Sequence, residues 1–118
     1  MSLEELVRRM RTRADTAAAL ASQAELQARD PGSLAGFGQA FWRAVFRETE
    51  LVCALLESSS EEDARLMADR AMLVLALKEN LARRAPGRFR DADTEQAALQ
   101  VVLQEVRLDI QAWLESAA

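Results

Sequence analysis

Small and apolar residues recur at Leu3, Val7, Met10, Ala14, Ala17, Ala21, Ala24 and Ala28 in alternating steps of four and three. That spacing marks one face of a helix. Past Met10 the seam is all alanine, so a neighbouring helix is expected to approach closely along it. Leu6, Leu20 and Leu26 widen the stripe. Ser2 and Glu5 have the S-x-x-E spacing of a capping box, and the RDPGS stretch (29–33) carries the Pro-Gly punctuation of a turn. The pattern predicts a first helix over residues 3–28.

A second helix is predicted over 34–57. At 100° per residue, Gly36, Ala40, Arg43, Arg47, Glu50, Ala54 and Glu57 share one narrow solvent stripe. Phe37, Phe41, Trp42, Val45, Phe46, Leu51, Val52, Cys53, Leu55 and Leu56 fill most of the rest. A helix so apolar is either central in its domain or covered by a partner. The SSSEED stretch (58–63) reverses the chain, with Ser59 and Glu62 as a second capping box. The third helix, over 60–85, is expected to bury Met67, Ala71, Val74, Leu77 and Leu81. It ends at APG (85–87), with Arg83 and Arg84 in its last turn, where the helix dipole favours cations. The fourth helix, over 94–116, is capped by Asp93 or Thr94 and shows the face Leu99, Val102, Leu103, Val106, Ile110, Trp113. Short connections make consecutive helices antiparallel. The expected fold is an all-α, up-down-up-down four-helix bundle, formed by residues 1–118 as a single domain.

Two charges break the apolar faces. Glu48 shares the sector of Phe37, Phe41, Val52 and Leu55, and Arg70 falls between Val74, Leu77 and Leu81. A hairpin folded about Ser59 places the two opposite each other, so a buried Glu48–Arg70 ion pair that sets helix register is expected. An Arg–carboxylate pair can be bidentate. A boundary pair at a dimer interface and a ligand-binding carboxylate are the alternatives.

Composition narrows the chemistry. There is no histidine, which removes the commonest acid/base and transition-metal ligand at neutral pH. No metal site, cofactor or catalytic residue is expected, and the chain is read as non-enzymatic. The E-x-x-E and E-x-x-D spacing of carboxylate-rich helical pyrophosphohydrolases is missing from ETE, ESSSEED and EVRLD. The single cysteine, Cys53, cannot form an intramolecular disulfide and suits a reducing compartment. It reads as a small buried hydrophobe. Neither a signal peptide nor a membrane span is visible, so a cytoplasmic location is expected. The net charge of −4 disfavours a general nucleic-acid binder.

The surplus apolar surface of the second helix points to a protein–protein interaction module: an adaptor, inhibitor or chaperone-like subunit, expected to be homodimeric or part of a complex. Trp42, Phe46 and Leu56 are its candidate contacts. Arg84, Arg88 and Phe89, in the stretch RRAPGRFR (83–90), form a second candidate patch. Two alternatives are a bundle that holds a small apolar ligand, with Glu48 or Arg70 at its polar end, and a nucleic-acid-associated subunit using Arg83 to Arg90. The four arginines Arg8, Arg9, Arg11 and Arg13 are expected to serve charge complementarity within the chain.

Overall fold

The computed structural model describes residues 1–27, 35–84 and 92–116. They form four helices: α1 (Leu3–Gln27), α2 (Ala35–Glu57), α3 (Glu61–Arg84) and α4 (Ala92–Ser116). The expected all-α, up-down-up-down bundle is the observed one, and the boundaries agree within two residues.

The helix starts follow from local hydrogen bonding. Ser2 accepts a bond from the backbone N–H of Glu5 at 3.2 Å, which satisfies one orphan donor of the first turn. At the α2–α3 turn the three serines divide their work. The hydroxyls of Ser58 and Ser59 both donate back to the carbonyl of Leu55, at 3.0 and 2.7 Å, closing the end of α2. Ser60 is the cap of α3: its Oγ accepts from the N–H of Asp63 at 3.3 Å and donates to the Asp63 carboxylate at 3.1 Å. The capping pair is therefore Ser60 and Asp63, one residue beyond the expected Ser59 and Glu62, because Ser59 is held by the preceding helix.

Packing follows the alanines. Met10, Ala14, Ala17, Ala21 and Ala24 are all buried, and α1 packs along most of α2. A Cβ added at Gly38 would stand 3.9 Å from the Cβ of Ala24, so the two helices are in ordinary contact even at this late point of the seam. α3 lies on α4. The parallel helices α2 and α4 meet across the middle of the bundle, whereas α2 and α3 touch over far fewer positions. The bundle is thereby flattened, 52 × 30 × 21 Å, with α2 at its centre. Most of the apolar arc of α2 packs against α1, α4 and part of α3, while Leu51 stays exposed. Along α4, Leu99, Val102, Val106, Ile110 and Trp113 are buried as expected.

α3 departs from expectation. Its buried residues are Ala64, Ala68, Ala71, Leu75 and Glu79. Of the residues expected inside, Ala71 is buried and Met67 is half-buried, but Val74, Leu77 and Leu81 are exposed. Alanines let α3 close against its neighbours, and the larger aliphatics are turned outward by that choice of face.

Candidate functional site

Glu48 is buried, with 3% of its surface exposed. A carboxylate this deep needs donors, because its desolvation is otherwise uncompensated. Lys78 supplies one: its Nζ donates to Oε2 at 2.9 Å from α3. Arg47 supplies the other, Nε to Oε1 at 3.3 Å, while its Nη2 donates to Glu95 on α4 at 2.7 Å. The expected partner, Arg70, is exposed and makes no ion pair among the described residues. Helix geometry explains the exchange. Lys78 lies eight residues beyond Arg70, which turns it about 80° toward the buried side of α3, and its long stem carries the ammonium to Glu48 across the lightly packed α2–α3 pair.

Two further buried acids were not anticipated. Asp109 on α4 accepts a two-pronged bond from Arg13 on α1, Nε to Oδ2 at 2.8 Å and Nη2 to Oδ1 at 3.2 Å. Arg9 stands 3.9 Å away. The bond to Asp109 raises the pKa of the Arg13 guanidinium. Glu79 on α3 accepts from Arg83 at 2.7 Å and from Gln100 of α4 at 3.3 Å. The bond from Arg83 is the chief reason that its pKa lies below the ordinary carboxylate value, against an opposing effect of burial. The sequence did carry a signal for Asp109. It sits in the run Val102, Val106, Asp109, Trp113, in steps of four, three and four, just as Glu48 sits among the apolar residues of α2.

The arginines of α1 are occupied within the chain. Arg11 reaches Glu57 at 2.7 Å and Glu50 at 3.9 Å, Arg8 pairs with Glu4, and Arg13 also meets Glu105 at 3.4 Å. Cys53 is buried, its thiol pointing at the Val7 carbonyl and Glu57, and burial pushes its pKa up. A thiol held protonated is a poor nucleophile.

The candidate partner contacts are redistributed. Leu56 is fully buried and belongs to the core, so it is no surface contact. It lies in the last turn of α2, near Leu3 and Val7 of α1. Trp42 and Phe46 are half-buried and pack against the core, and Trp42 meets Phe41 edge to face with ring centroids 4.9 Å apart. Arg84 is exposed. Arg88 and Phe89 lie outside the described residues. Exposed large apolar side chains gather on α3, where Leu66, Leu73, Val74, Leu77 and Leu81 are each 48–67% exposed, with Leu51 of α2 beside them at 55%; Leu26 of α1 and Leu108 of α4 are exposed singly.

Between α2 and α3 runs a shallow groove of about 140 Å³. Its walls are aliphatic, from Leu51, Val52, Leu55, Val74 and Leu75, with Arg70 and Lys78 toward solvent and the buried Glu48 also in its lining. Among the described residues no cluster of acidic or sulfur side chains could hold a metal ion, and no helix is long and apolar enough to cross a membrane.

Fold and surface together define a four-helix bundle that carries an apolar, leucine-lined face on its third helix. Comparison with known protein families, with curated proteins and with solved structures finds no match for this chain.

Proposed function

We propose that the chain is a non-enzymatic interaction module, and that its docking face is the outer side of α3 with the adjoining α2–α3 groove. This moves the contact surface from the second helix, where the sequence pattern suggested it, to the third. The observation that carries the proposal is the outward set of Leu66, Leu73, Val74, Leu77 and Leu81. Single exposed leucines are ordinary, but a contiguous apolar stripe along one helix is the signature of a surface that is covered in use. Arg70 and Lys78 at the groove rim supply polar specificity around that apolar centre. An apolar small-molecule site fits less well: the groove holds about 140 Å³, against roughly 300–1,000 Å³ for ordinary ligand pockets.

The test compares the wild-type chain with a Leu73→Glu, Leu77→Glu double variant in extract of the native host. Both side chains are exposed, so the variant keeps its helical circular dichroism. The wild-type chain is expected to migrate in an assembly larger than a monomer and the variant as a monomer. Identical migration of the two proteins removes the proposed face.

A further inference from the structure

α3 presents a second helical seam on its outer side. Asp63, Leu66, Arg70, Leu73, Leu77, Asn80 and Arg84 follow alternating steps of three and four, with Val74 and Leu81 beside them, and all are exposed. Seams of this kind are what one helix offers to another. We infer that the occupant is a second copy of this chain, its α3 crossing antiparallel about a two-fold axis that passes between Leu73 and Val74. This deepens the interaction role proposed above and rests on it.

Charge selects both the partner and its direction. The first turn of α3 carries Glu61, Glu62 and Asp63, and the last turn carries Arg83 and Arg84. Antiparallel pairing sets the acidic end of each α3 against the basic end of the other and opposes the helix dipoles favourably. A parallel pair stacks like charges at both ends. The same register makes the seam match itself. With Asp63 facing Arg84 of the second copy, Leu66 faces Leu81 and Leu73 faces Val74, and by symmetry each contact occurs twice, as in any isologous interface. Leu77 of the second copy then lies at the level of Arg70 and the α2–α3 groove. Its side chain fits that space, since a cavity of roughly 150 Å³ holds a benzene-sized group. Arg70 and Asn80 become the polar residues between the charged ends of the seam, the kind of device that fixes register in paired helices.

A standard interface buries roughly 800 Å² on each partner. The α3 stripe from Asp63 to Arg84 is only ~32 Å long. It needs the α2 rim at Leu51 to reach that area, which favours a dimer of moderate affinity.

Sedimentation equilibrium of the purified chain, from about micromolar to millimolar concentration, tests the inference. The expected result is a monomer–dimer equilibrium in the micromolar range, weakened about a hundredfold by the Leu73→Glu, Leu77→Glu variant. Direction is read by cross-linking. Leu66→Cys and Leu81→Cys variants, mixed and treated with a short bis-maleimide, are expected to join to each other and not to themselves, since native Cys53 is buried. Homotypic cross-links mean a parallel pair and overturn the inference, as does a dimer that survives the double variant. A chain that stays monomeric when pure also overturns it. In that case an assembly in extract that the double variant abolishes leaves the broader interaction role standing.

Discussion

Replacing Arg13 by Met removes the guanidinium that neutralises Asp109 while keeping an aliphatic stem of similar reach. The Asp109 side chain is 3% exposed, so its carboxylate cannot recover the lost bonds from water. Arg9, 3.9 Å away and more than half exposed, is too distant to replace them. Stranding a buried charge in this way costs about 3–5 kcal/mol, a large part of the roughly 5–15 kcal/mol that holds a domain folded. Lys78→Met is the control. Glu48 is as deeply buried as Asp109, but it keeps Arg47 at 3.3 Å, so the loss should stay near 1.5–3 kcal/mol, the order of one charge-assisted hydrogen bond. With a urea dependence of about 1.5 kcal/mol per molar, the midpoints should fall by about 2–3 M for Arg13→Met and by about 1–2 M for Lys78→Met. The double variant Arg13→Met, Asp109→Leu should recover most of the loss, because an apolar pair needs no desolvation. Equal small shifts for the two single variants, or a double variant less stable than Arg13→Met, would show that carboxylate desolvation does not dominate at this site.

The hydroxyl of Thr49 is buried without a hydrogen-bond partner among the described residues, so Thr49→Val, of nearly the same shape, should raise stability by about 1 kcal/mol, seen as a higher Tm; a lower Tm would mean that the hydroxyl is satisfied. Glu79 has a lowered pKa in the fold. Its ionised form therefore adds stability above the ordinary carboxylate value, and that stability is lost as pH falls through the lowered folded value. Urea midpoints of the wild-type chain and Glu79→Gln should accordingly differ at neutral pH and converge at pH well below 4.5; a gap that persists in acid counts against this origin.

Element type and order were legible in the chain itself. Apolar spacing along α1 and α4 admits a single buried face, and Ser2, the serine triplet and the Pro-Gly breaks punctuate helices whose geometry is local. The anomaly of Glu48 was legible for the same reason, since a carboxylate on an apolar face is visible in the spacing alone. Which cation would reach it was not. Arg70 and Lys78 both line the α2–α3 groove, and the face that α3 turns to the core decides that Lys78 arrives and Arg70 stays exposed. The orientation of α3 was undecided in the same way. Its sequence offers two stripes on nearly opposite sides, one led by Ala64, Ala68, Ala71 and Leu75 and one by Leu66, Leu73, Leu77 and Leu81. Hydrophobicity favours burying the leucines. The bundle buries the alanines, because the spacing between helices is a property of all four together and only small side chains permit it here. That tertiary choice, invisible in any single helix, leaves the leucine stripe facing out.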